Sequence, residues 1–226
     1  MTVIERVYRR VSEAVDRVIV ATDDQRIFDE VTRFGGRPAM TRADHRSGTD
    51  RCLETFEQLV AAGEATPEST VVINVQGDEP FIHPRQISQL MECFRNPDAD
   101  IATLVRPFDP ARPFAELENP NTPKVEIATN GKALAFSRSV IPYIRGKERQ
   151  QWPREHQYHT HIGIYAYRGN VLRTIASLPP SPLETAESLE QLRWLQNGFT
   201  IYTAASNFPT IGIDTPADLE AARKLL

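Results

Sequence analysis

The sequence predicts an α/β protein, because helical and strand patterns alternate over its first hundred residues and antiparallel strands follow. The clearest strand is the β-branched run at residues 70–75, which does not alternate polar and apolar residues, as is typical of a strand buried on both faces of a parallel sheet. The clearest hairpin has Asn130-Gly131 between two apolar runs, a pair that predicts a type I′ turn. Together these observations predict a mostly parallel sheet with flanking helices and a smaller antiparallel portion.

The first half of the chain is expected to alternate helix and strand. Helical spacing of apolar residues predicts the helices, and short apolar runs predict the strands. Residues 22–24 can cap the second helix, and Gly35-Gly36 ends it. The expected elements are a helix from the first residues to Val15, a strand at 18–21, a helix over 27–34, a helix over 53–60, the strand at 70–75 and a helix over 87–94.

Antiparallel strands are expected in the second half. The hairpin pairs residues 125–128 with residues 133–136, and the alternating residues 161–167 predict a further strand. The polar residues 145–159 are expected to form a mobile loop. The remaining expected elements are a helix over 185–197 that ends at Gly198, a strand at 200–204 and a last helix capped at residues 215–218.

The composition is that of an ordinary globular protein and excludes several classes. Of 226 residues, 40% are hydrophobic and 25% charged, and the net charge is −4, which argues against nucleic-acid binding. No apolar stretch approaches the roughly 20 residues that span a bilayer, and charged residues interrupt the first turns, so neither a membrane segment nor a secretory signal is expected. Cys52 and Cys93 lack the spacing of zinc, iron–sulfur or disulfide motifs. We therefore expect a cytoplasmic protein with a single domain over residues 1–226.

Two carboxylates follow apolar runs and could carry chemistry. Asp78 comes after the strand at 70–75, where ligands bind in open α/β sheets. There Gly77 lets backbone approach a ligand, Gln76 can hydrogen-bond a sugar or base, and Asp78 offers hard oxygen to Mg²⁺. Asp214 also ends an apolar run and could share the metal. Each acid also has a purely structural explanation. Asp78 could belong to an ordinary Gly-Asp turn, and Asp214 could lie at a helix start because the helix dipole favours a negative charge there.

Other polar groups are weaker signals. The run at 41–51 is rich in Arg, hydroxyls and Gly before a helix, so it can cradle a nucleotide, although a capped surface loop explains it as well. Arg138 lies beside a strand end, where its guanidinium could clamp a carboxylate. No GxxxxGKS/T, GxGxxG, nucleophile elbow or HExxH motif is present, which disfavours P-loop NTPases, dinucleotide-binding folds, serine or cysteine hydrolases and zinc proteases.

Seven motifs, in this order, resemble one family, the 3-deoxy-manno-octulosonate cytidylyltransferases, which are nucleotide-sugar transferases. The resemblance covers nearly the whole chain. The motifs are VATD at residues 20–23, MTRADHRSGTDR at 40–51, VINVQGDEP at 72–80, FSRSVIP at 136–142, HIGIYAY at 161–167, SPLETAESLEQLR at 181–193 and GIDTPADL at 212–219.

The resemblance implies a Rossmann-like nucleotide-diphospho-sugar transferase fold with an antiparallel dimerisation portion at about residues 125–170. It implies transfer of CMP from CTP to the anomeric hydroxyl of 3-deoxy-manno-octulosonate (Kdo), with release of pyrophosphate, for lipopolysaccharide biosynthesis. The expected partners are CTP, Kdo and a second copy of the chain in a homodimer, with neither nucleic acid nor membrane.

The resemblance also assigns site residues. Asp78 and Asp214 would be the catalytic residues and would hold Mg²⁺, so that catalysis is mostly positioning and charge stabilisation. The residues expected to contact CTP are Arg42, His45, Ser47, Gly48, Thr49, Gln76 and Gly77. Those expected to bind the sugar acid are Arg138, His161, Tyr165, Glu190 and Gln191, although each of these taken alone also suits a solvated or structural position.

The chain departs from the family pattern at its start. The family begins with a central strand and a loop of the type IPARxxSxRxPGKPL, whose Arg and Lys bind the triphosphate. This chain begins just after the position of that loop. A fold without that strand would leave the backbone groups of its neighbours unpaired and expose apolar faces. We therefore expect the strand and loop to belong to the natural protein, and a naturally truncated form to be inactive.

Three alternatives stay open from the sequence. One is a cytidylyltransferase for another acidic sugar, such as a sialic acid. Another is a catalytically silent, N-terminally truncated nucleotide-binding homologue, because the phosphate-gripping Arg and Lys are absent. The third is an α/β domain whose acids are only helix caps, in which Asp78→Ala and Asp214→Ala would lower stability without a selective loss of activity.

Overall fold

The computed structural model describes residues 1–209, 212–213 and 215–224 and has an α/β fold, as predicted. The helices are α1 (Val3–Ser12), α2 (Gln25–Arg33), α3 (Gly48–Ala61), α4 (Pro84–Cys93), α5 (Phe114–Leu117), α6 (Trp152–Glu155), α7 (Gly169–Ala176), α8 (Pro182–Glu187), α9 (Gln191–Gln196) and α10 (Pro216–Arg223). The strands are β1 (Val20–Thr22), β2 (Pro38–Met40), β3 (Val71–Asn74), β4 (Ile101–Pro107), β5 (Lys124–Ile127), β6 (Ala133–Ser137), β7 (His159–Arg168) and β8 (Ile201–Ala205). None of the helices in these ranges is long and apolar enough to cross a membrane.

The described residues group into two compact units, each assembled from separate stretches of the chain. Unit 1 comprises Met1–Ser88, Ala166–Ala176 and the described residues of Phe208–Leu226. Unit 2 comprises Gln89–Tyr165 and Ser177–Asn207.

Side-chain caps explain where several helices begin. Thr2, Asp24 and Ser47 each accept a hydrogen bond from a backbone N–H in the first turn of α1, α2 and α3. Ser181 and Glu184 form a reciprocal capping box at α8. At α10 the Thr215 hydroxyl accepts from the Asp218 N–H, which confirms the start predicted from the sequence.

In unit 1 the strands β1 and β3 each pair on one side within the described ranges. β1 pairs in parallel with β2, and β3 pairs with β7. Cavities of about 540 and about 800 Å³ are both lined by residues of β1 and β3. Val71, Val72 and Ile73 are half-buried where they line these cavities, so the described residues do not by themselves bury β3 on both faces, which was the expectation from the sequence.

Unit 2 is built on a sheet in which the strand order is β6-β5-β7-β4-β8. The hairpin of β5 and β6 is antiparallel, as predicted, whereas β4 and β8 pair in parallel. Strand β4 is apolar along most of its length, and its first five residues are buried, which accounts for its place inside the sheet. The alternation predicted for residues 161–167 is also present, because Ile162, Ile164 and Ala166 are buried on one face of β7.

The hairpin turn differs from the predicted type I′ turn. A type I′ turn needs positive φ at both central residues, but only Gly131 has it, with φ of 86°. The Gly131 N–H donates to Ala128 O and the Ala128 N–H donates to Lys132 O, so the loop is one residue longer than predicted. Gly131 alone supplies the left-handed residue that closes it.

Residues 145–159 are more ordered than the predicted loop. They contain a 3₁₀ turn at Arg149–Gln151, helix α6 and the start of β7. Trp152 and Tyr158 are buried in a cluster with Phe108, Phe114 and Leu117. These two aromatic side chains anchor the segment to unit 2, although most of its other residues are charged or polar.

The predicted helix over 185–197 is in fact two helices, α8 and α9. They are separated at Ser188, which has left-handed backbone angles, with φ of 50° and ψ of 50°. The interruption coincides with Glu187, whose carboxylate accepts hydrogen bonds from the Ser137 hydroxyl and the Arg138 N–H. Gly198 has positive φ after α9, in agreement with its predicted role as a helix stop.

Lys124, at the start of β5, is a fully buried lysine. Its Nζ donates to the backbone carbonyls of Asn119 at 3.1 Å and Thr122 at 2.9 Å, and it is 0% exposed. Desolvation lowers the pKa of its ammonium group, whereas the carboxylate of Glu187 acts in the opposite direction. The lysine thus ties the loop before β5 to the strand.

Candidate active site

The cavity of about 540 Å³ between β1 and β3 of unit 1 has an apolar part and a polar part. The apolar part is formed by α1 and β1, including Val7, Val11 and Ile19. The polar part lies beyond the end of β3, where ligands bind in open α/β sheets. The polar lining residues are His45, Arg46, Ser47, Gly48, Arg51, Asn74, Gln76 and Gly77, with Tyr8 and Arg17 toward the apolar part.

Close packing between the start of α3 and the end of β3 shapes the polar part. A β-carbon at Gly48 would lie 3.2 Å from Asn74 Nδ2 and 3.6 Å from Gln76 Nε2. A β-carbon at Gly77 would lie 3.3 Å from Ile4 Cδ1. Because glycine has no β-carbon, the backbone at Gly48 can approach the amide groups of Asn74 and Gln76. The backbone at Gly77 can likewise approach Ile4 of α1.

Hydrogen bonds hold the loop before α3 in place. The Arg51 guanidinium contacts the Thr41 hydroxyl at 2.6 Å and the Asp23 carboxylate at 3.2 Å. The Ser47 hydroxyl accepts from the Asp50 N–H at 3.2 Å and caps α3. As a result the first turn of α3, the positive end of its dipole, forms part of the cavity wall.

His45 forms a close pair with Glu54 on α3, between its Nε2 and the Glu54 carboxylate. The Arg42 N–H also donates to this carboxylate, at 3.2 Å. Desolvation acts to raise the pKa of Glu54, but the hydrogen bonds from Arg42 and His45 outweigh it, so the pKa of Glu54 lies below its ordinary value. The pair fixes the His45 ring at the cavity.

The structure brings together most of the residues that the sequence associates with CTP. His45, Ser47, Gly48, Gln76 and Gly77 line the 540 Å³ cavity. Arg42 and Thr49 are not among its lining residues. Arg42 lines a different pocket of about 620 Å³, and Thr49 is buried in α3. Asn74 and Arg51 line the cavity too, and they could have been noticed because both lie inside the sequence motifs that suggested the site.

Asp78 lies just beyond the polar part, and Asp214, the other predicted metal ligand, is outside the described residues. No ion pair to the Asp78 carboxylate occurs in the part of the chain that the structure describes. The neighbouring Glu79 is half-buried, and desolvation together with the charge of Asp78 raises its pKa; within the described ranges its buried Oε2 atom has no hydrogen-bond partner. The Ile213 N–H donates to Asp78 O at 2.9 Å.

These features suit a hard divalent cation, because such ions prefer carboxylate oxygen and the negative charge here has no protein counter-ion within the described ranges. Among the residues that the structure describes, no three His, Cys, Asp or Glu side chains form a complete metal cluster. Asp78 is thus the one predicted metal ligand with a described position, and the assignment of Mg²⁺ stays a prediction.

In unit 2 an aromatic row contains two of the residues predicted to bind the sugar acid. The ring of His161 lies 5.2 Å from the ring of Tyr165, which lies 5.0 Å from Trp194 in an edge-to-face contact. Trp194 belongs to α9, which begins at Gln191. Gln191 is only 4% exposed, and its Nε2 has no hydrogen-bond partner within the described chain. Such a buried amide group has donors left for a ligand.

The Arg138 guanidinium binds backbone carbonyls. It donates to Glu187 O at 2.5 Å, to Pro120 O at 2.8 Å and to Ser188 O at 3.1 Å. Three of its five N–H donors are occupied in this way, so two are left for a ligand carboxylate. The same contacts hold the left-handed turn at Ser188 and thereby the start of α9.

Glu190 is part of a charged group on α8 and α9. Its carboxylate lies 3.2 Å from the Arg193 guanidinium, which also contacts Glu184 at 3.0 Å. The five predicted sugar-binding residues all belong to unit 2: Arg138 directly follows β6, His161 and Tyr165 lie on β7, and Glu190 and Gln191 lie at the start of α9. Their roles as ligands stay predictions.

Comparisons with known proteins show which family this chain is similar to. A family model described as cytidylyltransferase matches residues 1–201. A protein of Bacteroides thetaiotaomicron named 3-deoxy-manno-octulosonate cytidylyltransferase is 52% identical over all of this chain and 88% of its own length. One of Thermodesulfovibrio yellowstonii with the same name is 44% identical over 99% of this chain and 88% of its own.

A solved structure of CMP:2-keto-3-deoxy-manno-octonic acid synthetase complexed with CTP is also similar. It has a TM-score of 0.86 and 42% sequence identity, over 99% of this chain and 86% of its own.

The α/β fold and the polar cavity beyond β3 define a protein of the nucleotidyltransferase class, and this is also the class of the matching family model. Identities of 44% to 52% across nearly the whole length of the relatives narrow the assignment further. The chain belongs to the 3-deoxy-manno-octulosonate cytidylyltransferase family.

Proposed function

We propose that this protein transfers CMP from CTP to Kdo and releases pyrophosphate. The observation that carries the proposal is the likeness, at 42% identity and a TM-score of 0.86, to a synthetase of this name complexed with CTP. In the reaction the anomeric hydroxyl oxygen of Kdo attacks the α-phosphorus of CTP. The bond between the α-phosphorus and the bridging oxygen breaks, pyrophosphate leaves, and the hydroxyl proton passes to solvent.

The 540 Å³ cavity of unit 1 is the proposed CTP site. The amide of Gln76 can both donate and accept hydrogen bonds, which suits the edge of a cytosine base. The His45 ring, fixed by Glu54, and the cap residue Ser47 lie on the same wall. Arg46 and Arg51 bring positive charge to a cavity that would receive a triphosphate, and the start of α3 adds to it.

Asp78 and Asp214 are the proposed ligands of Mg²⁺. The ion would neutralise charge on the α-phosphate and draw in the sugar hydroxyl. Asp78 supports this proposal, since its carboxylate has no cationic partner within the described ranges, and its charge adds to the desolvation that raises the pKa of Glu79.

The sugar acid is proposed to bind to unit 2. The unpartnered Nε2 of Gln191 and the row of His161 and Tyr165 offer hydrogen-bonding groups beside an aromatic surface. The two remaining donors of Arg138 suit the sugar carboxylate, because a guanidinium can bind two oxygens at once. Glu190 would complete the site through a sugar hydroxyl.

A homodimer in the cytoplasm that supplies lipopolysaccharide synthesis is part of the same proposal. Strand β6 lies at the end of the sheet order in unit 2, and Leu134 on it is 62% exposed. An apolar side chain on an edge strand favours association with another copy, because edge strands offer unpaired backbone groups.

The test is pyrophosphate release by the purified protein with CTP, Mg²⁺ and Kdo, and with each of the three omitted in turn. Release that needs all three supports the proposal. Asp78→Asn should lower the rate by about a hundredfold or more, since it weakens the metal site that stabilises charge in the transition state. Asp29→Asn is the matched control, because Asp29 is exposed on α2 and, within the described ranges, its carboxylate accepts a hydrogen bond from Gln25 alone.

The same assay separates the alternatives. Release with a sialic acid in place of Kdo would identify a different acidic sugar as the substrate. Tight binding of CTP and Mg²⁺ without release by any sugar acid would indicate a catalytically silent nucleotide-binding protein. Equal loss of activity and stability in Asp78→Asn would indicate that the acid is structural.

A further inference from the structure

The hydroxyl of Thr103 lies between β4 and β7 at a point where three polar atoms meet it. Thr103 Oγ1 is 2.9 Å from Ile164 O, 3.3 Å from Ile162 O and 3.0 Å from His161 Nε2. The residue is 0% exposed, so water does not reach this group.

The number of hydrogens in this group fixes the direction of each bond. The Thr103 hydroxyl has one hydrogen, and the two carbonyl oxygens can only accept. Two oxygens 2.9 Å apart attract each other only with a hydrogen between them, so the hydroxyl hydrogen points to Ile164 O. The contact with His161 then needs a hydrogen on Nε2. In neutral imidazole this leaves Nδ1 with a bare lone pair.

The surroundings of His161 keep the ring neutral. Phe136 meets it edge to face, with ring centres 5.4 Å apart, and the Tyr165 ring lies 5.2 Å away. Burial lowers the pKa of His161 to about 4, so the imidazole carries no charge at neutral pH. Within the described ranges, nothing hydrogen-bonds to its Nδ1.

We propose that Thr103 is a positioning residue, which fixes His161 in its Nε2–H form so that Nδ1 accepts a hydrogen bond from a hydroxyl of the sugar acid. This inference rests on the proposed function, which places the sugar acid at His161. The inference also identifies the group that His161 binds as a hydroxyl of the sugar acid, because the bare lone pair of Nδ1 attracts a hydroxyl hydrogen and repels a carboxylate oxygen. The sugar carboxylate therefore binds elsewhere in the site.

The first experiment reads the tautomer directly. Protein labelled with ¹⁵N-histidine is studied by long-range ¹H–¹⁵N correlation, which distinguishes a protonated ring nitrogen from a bare one. His161→Gln identifies the signals of His161 among the five histidines by their disappearance. We expect protonated Nε2 and bare Nδ1 in the wild-type protein, and a shift of the Nδ1 signal when Kdo is added.

The second experiment removes the hydroxyl. Thr103→Val keeps the shape of the side chain but cannot accept from Nε2–H, so the two tautomers should mix. The KM for Kdo should then rise about tenfold, the effect of one lost hydrogen bond, while the KM for CTP stays unchanged. Thr103→Ser restores the hydroxyl and should restore both the tautomer and the KM.

Thr160→Val is the matched control. The Thr160 hydroxyl donates to Arg106 O at 3.3 Å and so lies between the same two strands, but its hydrogen bond goes to this carbonyl and not to the His161 ring. This variant should keep the wild-type tautomer and the wild-type KM for Kdo.

Two results would overturn the proposal. One is a wild-type His161 with its hydrogen on Nδ1, and the other is a Thr103→Val protein that retains the Nε2–H form and the wild-type KM. Failure of the proposed function has a different signature, since the wild-type protein would then release no pyrophosphate. In that case the tautomer spectra still show whether Thr103 controls the tautomer of His161. If the Nδ1 signal does not shift when Kdo is added, Nδ1 does not bind a hydroxyl of this sugar acid.

Discussion

At the level of single residues, Gly48 shows how little space the cavity of unit 1 leaves at the start of α3. A β-carbon there would come within 3.2 Å of the Asn74 amide, which is closer than most side chains approach each other. Asn74 would have to move by a few tenths of an ångström, and Gln76 Nε2 lies 3.6 Å from the same β-carbon position.

Gly48→Ala should therefore weaken CTP binding without unfolding the protein. We expect the KM for CTP to rise about tenfold, equivalent to one misplaced hydrogen bond, with the KM for Kdo unchanged. Steady-state kinetics of pyrophosphate release measure both constants. Gly163→Ala serves as the control for the KM of CTP alone, because a β-carbon at Gly163 meets nothing within 4 Å and the residue lies on β7 between His161 and Tyr165. Equal constants for Gly48→Ala and wild type would show that CTP does not use this wall.

The depressed pKa of His161 has a consequence for stability as well as for binding. Burial among aromatic rings lowers its pKa to about 4 from the ordinary value of 6.5. Between these two values the unfolded chain binds a proton that the folded protein does not, so stability falls as the pH is lowered through this range.

The pH dependence of unfolding should therefore differ between wild type and His161→Gln. Between pH 7 and pH 5, wild type should lose about 1–2 kcal/mol more unfolding free energy than the variant, because the variant has no proton to bind there. Urea titrations at both pH values measure this difference. Parallel pH profiles for the two proteins would mean that the His161 ring is solvated and titrates normally.

At the level of elements, the division between α8 and α9 depends on Ser188. A non-glycine residue with left-handed backbone angles costs about 1–2 kcal/mol relative to glycine, which has no β-carbon to clash. Here the turn is held by Arg138, which donates to the carbonyls on both sides of it, at Glu187 and Ser188.

Substitutions at Ser188 should move stability in opposite directions. Ser188→Gly is expected to raise the free energy of unfolding by up to about 1 kcal/mol, whereas Ser188→Val should lower it by about 1–2 kcal/mol, since β-branched residues fit left-handed angles poorly. Urea denaturation followed by circular dichroism measures both. A stabilising valine would imply that the helix continues through this position.

The elements that the sequence predicted well are those whose signal is local. The helical spacing behind α1 and α3, the caps of α2 and α10, and the alternation of β7 all depend on residues near one another in the chain. The break between α8 and α9, which the sequence did not predict, depends on a distant partner. Glu187 turns toward Ser137, 50 positions away, and the sequence around Ser188 has no glycine to signal a break.

The candidate site follows the same rule. The residues that line the cavity of unit 1 lie in motifs at the end of a strand and the start of a helix, so their type and position suggested them. Thr103 could not be found in this way, because it lies inside an apolar strand and its role depends on β7, more than fifty residues further along.

For the molecule as a whole, the oligomeric state is the property most open to direct measurement. The protein should sediment at micromolar concentration with twice the 25.5 kDa mass of one chain. Leu134→Lys should shift it toward the monomer, since a charge on the exposed edge strand β6 opposes pairing with another copy. Leu183→Lys, on the exposed side of α8, is the control. A monomer of the wild-type chain at this concentration would reject the homodimer.

Because the ammonium group of Lys124 is buried, its reaction with an amine-directed reagent can be used to measure unfolding. The chain has only four lysines, at positions 124, 132, 147 and 224, so an amine-directed reagent meets few targets. In the native state the reagent reaches the other three, whereas Lys124 is enclosed beside the carbonyls of Asn119 and Thr122. The rate of Lys124 acylation, measured by peptide mass spectrometry, therefore reports how often unit 2 opens, without an added dye.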